Sequence, residues 1–203
     1  VTHPTPPTSP AWSGAADLTR QRLIRSALEL FTTRGYHDTT TAQIAKKAGI
    51  AEGTIYRHFA SKQHLVNELY RAGQRWAMKI VHETVANPDA GTVRQQLTAV
   101  ALGLVDGAAH ETAIVKIGLL DSLGAVLDDE SRKTEREFRA ALERIVAEGK
   151  AQGSVRAGAV DVWAGVWLSV ICHALRKIVA GEWKPGDASV RLVIDAGWKS
   201  ISA

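Results

Sequence analysis

The prolines of this 203-residue chain constrain its fold most. Pro4, Pro6, Pro7 and Pro10 crowd the first ten residues, and Pro88 and Pro185 stand alone. Residues 11–87 and 89–184 contain none. Proline removes a backbone donor and clashes with the preceding helical turn, so long proline-free stretches suit helices. Apolar residues recur at helical spacing, and no run alternates with period two over a useful length. There is no internal repeat. The expected fold class is all-α, with essentially no sheet.

Local signals divide the chain. Residues 1–14 are rich in Pro, Thr and Ser and are expected to form a disordered tail. They carry no Lys or Arg, so they are no basic arm. Ile24, Ala27, Leu28 and Phe31 make a helical stripe, ended by Gly35. Thr40 and Gln43 match a capping box. Ile44, Ala45 and Ala48 form the buried side of the helix it opens, and Gly49 breaks that helix. A short helix follows over about 52–58. Ser61 caps a long helix that Pro88 stops, on the order of 35–40 Å in length, with Leu65, Leu69, Trp76 and Ile80 on its stripe. Five more helices are expected over 91–109, 111–125, 131–153, 157–180 and 187–201. The expected domains are 15–62 and 63–203.

Composition narrows the function classes. Hydrophobic residues make up 45%, enough for a substantial core. The one cysteine, Cys172, excludes an intrachain disulfide and fits a reducing compartment. No apolar run approaches the roughly 20 residues that span a bilayer, and no signal-peptide pattern opens the chain. A cytoplasmic protein with no membrane partner is expected. Residues 1–87 hold eleven Lys and Arg against six Asp and Glu, whereas 88–203 hold fourteen against fifteen. The basic excess points to a polyanion partner for the first part. Ordinary surface charge is the plainer explanation.

The basic first part contains the stretch AGIAEGTIYRHFASK, residues 48–62. Two short helices joined at Gly49 form a helix-turn-helix. Ala45 and Ala48 let the helices cross closely, and Ile55 and Phe59 face the first helix. Thr54, Tyr56, His58 and Lys62 can donate to phosphate oxygens, which sets register on a duplex. Residues 51–54 and Arg57 lie nearest the base edges. Tyr56 alternatively reads as a core aromatic, His58 as a surface histidine and Lys62 as a solvated helix-start lysine. Lys46 and Lys47 read as a solvated face.

Residues 23–69 resemble the DNA-binding module of the TetR family of ligand-responsive regulators. The resemblance rests on Ala27 and Phe31, Gly35, Thr39-Thr40-Thr41, Ile44-Ala45, Ala48-Gly49, Gly53-Thr54-Ile55-Tyr56, His58-Phe59, Ser61-Lys62 and Leu65. It implies an N-terminal three-helix DNA-binding domain followed by a helical ligand-binding and dimerisation domain. Phosphate contacts fall to Thr40, Thr41, Thr54, Tyr56, His58 and Lys62. Ala51, Glu52, Gly53 and Arg57 take base-reading positions. Position 51 often carries a capping serine in the family, and its absence costs about 1 kcal/mol. Glu52 either stabilises the positive helix end or accepts from a cytosine amine.

The second half offers a cavity and an interface. Mid-helix glycines at 103, 107, 118, 124 and 165 suit close helix approach or room for a guest. Trp76, Leu104, His110, Ile114, Ile117, Trp163, Trp167 and Cys172 are candidate lining residues, or ordinary core. Trp167, Ile171, Ala174 and Ile178 on one helix, with Val190, Val193, Ile194 and Trp198 on the last, are the candidate dimer interface; packing within one chain is the alternative. Two copies would form a four-helix bundle. The expected partners are double-stranded DNA with a palindromic operator, a small-molecule effector and a second copy of the chain. No cofactor, metal or catalytic residue is expected. The sequence has no His-Glu-x-x-His pair, Gly-rich phosphate loop or cysteine cluster. An all-helical enzyme or a protein-binding adaptor is the competing function.

Overall fold

A computed structural model describes residues 15–203, with side chains from Leu18 onward. The expected 1–14 tail lies outside the described residues. The chain forms two compact units, the first ending at Leu69 and the second beginning at Tyr70.

In the first unit, α1 (Ala15–Arg34), α2 (Thr41–Ala48), α3 (Glu52–Ile55) and the start of α4 (Lys62–Ala86) enclose one core. Leu23, Ala27, Leu30 and Phe31 of α1 are buried with Ile44, Ala45, Ile55, Phe59, Leu65 and Leu69. The stripe expected on α1 is therefore rotated, because Ile24 and Leu28 are only half-buried. The Thr40 hydroxyl accepts from the Gln43 amide, and the Gln43 side chain accepts from the Thr40 amide. Gly49 ends α2 with φ +66°, and a side chain there would also meet the Arg22 guanidinium. Ser61 accepts from the His64 amide at 3.0 Å and opens α4.

In the second unit, α5 (Val93–His110), α6 (Thr112–Val115), α7 (Asp129–Ala151), α8 (Val160–Val179) and α9 (Ala188–Ile201) join the rest of α4 around a second core. Among the described residues there is no strand, only an isolated bridge between Val155 and Ser202.

The single helix expected over 111–125 is broken. After α6 the chain widens into a π-turn, Lys116–Leu120, extends at Asp121, and closes a 3₁₀ turn at Gly124–Val126. The Asp121 amide donates to the Lys116 carbonyl, the five-residue bond of a π-turn. Gly118 explains the deviation: a Cβ there would sit 2.7 Å from the Gly73 Cα. The two helices touch through backbone, and the wider turn delivers Gly118 to that contact.

Helix α8 is long and apolar enough, at mean hydropathy 1.4, to meet the length and composition of a membrane span. This corrects the expectation that no run approaches one. Its Ala164, Trp167, Leu168, Ile171, Ala174, Leu175 and Ile178 are buried in the second core.

Candidate nucleic-acid interface and effector cavity

The helix-turn-helix buries its apolar side and exposes its polar one. Ile55 and Phe59 are buried, whereas Ala51, Glu52, Gly53, Tyr56 and Arg57 are exposed. Thr54 and His58 are half-buried. The helix at α3 is four residues long, and the His58 and Phe59 amides continue its winding by donating to the Ile55 carbonyl. Ala51 makes no side-chain cap. The Tyr56 ring is 54% exposed, which rules out the core-aromatic alternative. Its hydroxyl lies 3.1 Å from the Thr41 hydroxyl. That bond ties the start of α2 to the end of α3 and brings two of the expected phosphate-binding groups together. Lys47 pairs with Glu29 at 2.6 Å, and Lys46 is exposed.

Lys62 is not a solvated helix-start lysine. Its ammonium donates to the Tyr36 carbonyl at 2.8 Å and to the Thr39 carbonyl at 2.9 Å, with the His37 carbonyl at 3.5 Å. It also sits 4.2 Å from the Tyr36 ring centroid. Burial pushes its pKa down, against the Asp38 carboxylate, which acts the other way. Thr39 is fully buried and donates to the Gly35 carbonyl at 2.8 Å. Together Lys62 and Thr39 close the 35–40 loop that presents Thr40 and Thr41. Sequence reasoning placed Thr39 in the motif without a role and missed Tyr36, because the carbonyls that bind Lys62 leave no side-chain pattern.

The dimer-interface assignment needs correction. Trp167, Ile171, Ala174, Ile178, Val190 and Ile194 are buried within the single chain, at 6% exposure or less, and cannot face a partner. Val193 and Trp198 are half-buried against the same core. The seam joins α8 to α9 of one chain, because both helices spend their strongest apolar stripe on each other. The opposite side of the pair remains accessible: Val162 is 52% and Leu192 70% exposed, and Val166, Val170 and Ala196 are also accessible.

The pocket assignment is corrected as well. The second unit holds a partly open cavity of about 170 Å³. Of the eight expected lining residues, only Cys172 borders it. Leu104, Ile117 and Trp167 are fully packed core, and Ile114 is half-buried. His110 is exposed at the end of α5, with Nδ1 2.9 Å from the Asp106 carbonyl. The Trp163 indole donates to the Ala157 carbonyl, with the Arg156 guanidinium 5.3 Å from its ring. Trp76 fills a notch that Gly107 leaves open, and Ile80 fills that of Gly103. Those glycines make room for α4 side chains and not for a guest.

The cavity lies between α4, the π-turn, α7 and α8. Tyr70 and Gln74 reach it from α4, Asp121 from beyond the π-turn, and Glu135, Phe138 and Arg139 from α7. Gln74 donates to the Gly118 carbonyl at 2.7 Å and to the Tyr70 hydroxyl at 3.0 Å. Burial, with the Glu135 carboxylate beside it, pushes Tyr70 up to about 12, so it stays a neutral hydroxyl. Burial likewise raises Asp121, opposed by Lys116, and raises the Cys172 thiol. Besides Cys172, the sequence trace of this site is Tyr70 and Gln74, polar groups one turn apart on a helix otherwise read by its apolar stripe.

A helix-turn-helix with a buried apolar side and an exposed face of hydroxyl and basic groups, followed by an all-helical second unit, defines a DNA-binding transcriptional regulator. Residues 23–69 match the family model described as bacterial regulatory proteins, tetR family. That match and the relatives below support a TetR-family transcriptional regulator. It is 28% identical over 172 residues to the transcriptional regulator TcmR of Streptomyces glaucescens, covering 81% of this chain and 73% of that protein. It is 37% identical over 79 residues to the transcriptional repressor KstR2 of Mycobacterium tuberculosis, covering 37% of this chain and 40% of that one. A TetR-family regulator from Shewanella sp. PV-4 shares the fold, with a TM-score of 0.76 at 21% identity over 91% of this chain and 98% of that one.

Proposed function

We propose that this regulator is a cytoplasmic homodimer that represses transcription from a palindromic operator and is released by a small-molecule effector. The observation that carries the reading is the Thr41–Tyr56 hydroxyl pair, 3.1 Å apart on the accessible side of the helix-turn-helix. Two hydroxyls that already hold each other in register can turn together toward one phosphate. Thr40, Thr54 and His58 extend that phosphate track. Ala51, Glu52, Gly53 and Arg57 lie at the exposed start and end of α3, where base edges come within reach. Lys62 acts here as a positioning residue, because its donors are directed at the loop that carries Thr40 and Thr41. The accessible side of the α8–α9 pair supplies the dimer contact, with Val162, Val166, Val170, Leu192 and Ala196 at its centre.

The effector occupies the cavity of the second unit. Helix α4 is common to both units, so a ligand that shifts its preferred conformation biases DNA binding only through a difference in affinity for two states. Moving from mostly bound to mostly released takes about 5.5 kcal/mol of such difference. The test is selection of bound duplexes from a random pool. The expected product is a palindrome with half-sites about 34–36 Å apart, or a multiple of one turn. Failure to enrich any sequence, with a monomer in sedimentation, would overturn the proposal.

A further inference from the structure

We infer that the effector is a small organic cation, a protonated amine on a single ring or short aliphatic body, held by Asp121 and Gln74 in the second-unit cavity. This rests on the effector reading above and gives that ligand a chemical class.

Two acceptors in residues that border the cavity lack donors. Gln74 is 4% exposed, and its Oε1 is buried without a partner. The amide orientation is fixed, because the Gly118 carbonyl can only accept and so must face Nε2. An unpaired buried acceptor costs about 1–3 kcal/mol, and a bound donor relieves that cost. Asp121 is the second acceptor: half-buried, bordering the cavity, with no hydrogen bond or ion pair to its carboxylate among the described residues.

The charged and hydroxyl donors on the wall already have acidic or amide partners. The Arg139 guanidinium bonds Glu135 at 3.2 and 3.3 Å. The Tyr70 hydroxyl accepts from Gln74 and lies beside Glu135. The wall thus holds two carboxylates against one guanidinium, and the guanidinium is already matched. Lys116 offsets the Asp121 charge only from outside the cavity lining, so an anionic guest would meet the carboxylate first in a partly dehydrated site, whereas a cation supplies both a paired charge and hydrogen-bond donors. Leu119, Phe138 and Leu168 border the same space and give an apolar body something to lie against. The volume, about 170 Å³, is close to the roughly 150 Å³ that accepts a benzene-sized guest. Among the described residues no three metal-binding side chains gather, so a bare metal ion is a poor fit.

The probes are benzylamine, benzyl alcohol and benzoate, titrated calorimetrically into the full chain at neutral pH. Benzylamine is expected to bind at millimolar concentration or better, and benzyl alcohol at least about tenfold more weakly. Benzoate is expected not to bind. Asp121→Asn, which keeps shape and removes charge, is expected to weaken benzylamine about tenfold without lowering the melting temperature. Benzylamine affinity should also fall as acid protonates Asp121. Equal or tighter benzoate binding, no binding of any probe, or unchanged benzylamine affinity in Asp121→Asn would each overturn the inference. Operator binding is measured in parallel by gel shift. Intact DNA binding with no amine response sinks only the ligand class, whereas absent DNA binding sinks the regulator reading and leaves the titration informative.

Discussion

Replacing Lys62 with methionine separates a positioning role from a phosphate contact. Methionine keeps the apolar stem and removes the ammonium. That ammonium makes two short hydrogen bonds, to the Tyr36 and Thr39 carbonyls, and lies over the Tyr36 ring. A hydrogen bond to a charged group is worth about 1.5–3 kcal/mol, and an exposed cation–π contact about 0.5–1 kcal/mol. Water can replace part of this, because the loop borders solvent. A net loss of about 2–3 kcal/mol is expected in urea unfolding of the first unit. The second measurement is operator affinity against salt. A lysine on a phosphate releases a counterion, so its loss lowers the slope of log K on log salt by about 0.9 per protomer. A positioning lysine weakens binding and leaves that slope nearly unchanged, since the lost contacts belong to the uncharged hydroxyls of Thr40 and Thr41. Amide exchange in residues 36–41 should accelerate in the same variant. Wild-type stability with a slope reduced by the full amount would refute the reasoning and return Lys62 to the phosphate track.

Four further outcomes are expected. Gly118→Ala forces a Cβ against the Gly73 backbone at 2.7 Å and should destabilise by about 1–3 kcal/mol in urea unfolding; an unchanged midpoint would deny the close contact. Gly53→Ala meets nothing within 4 Å, so it should raise stability by about 0.5–1 kcal/mol while weakening operator binding, and equal affinity would show that the backbone does not approach DNA there. Tyr56→Phe removes only an exposed hydroxyl bonded to Thr41, so gel-shift affinity should fall with stability changed by less than about 1 kcal/mol. Asp128 caps α7. Burial raises its pKa, but the Ser131 amide and hydroxyl and the Arg71 guanidinium outweigh that and hold it below the usual aspartate range. A depressed carboxyl stabilises above its unfolded pKa and loses that contribution as pH falls through its folded one. Acid unfolding should therefore show a limb below the usual aspartate pKa that Asp128→Asn flattens while retaining the cap.

Much of the fold was legible because its signals are local. The capping box at Thr40, the left-handed Gly49 and the Ser61 cap each follow from residues within one turn of each other. The break between α6 and α7 was not. Apolar spacing over 111–125 suits one helix, and what interrupts it is Gly73, some 45 positions away in the chain. Glycines at 103 and 107 carry the same ambiguity, since a glycine that makes room for Trp76 looks identical in sequence to one that makes room for a ligand.

By itself, the sequence determined the helical architecture, the helix-turn-helix and the side of it that stays exposed, because periodicity and capping are short-range and the motif spacing is fixed. Tertiary structure alone decided which apolar stripes pair within the chain, which acceptors remain unmatched around the cavity, and that the Lys62 ammonium binds loop carbonyls. Those outcomes depend on how distant backbones approach one another. Apolar burial does not distinguish partners, and a carbonyl's need for a donor leaves no mark on the identity of its residue.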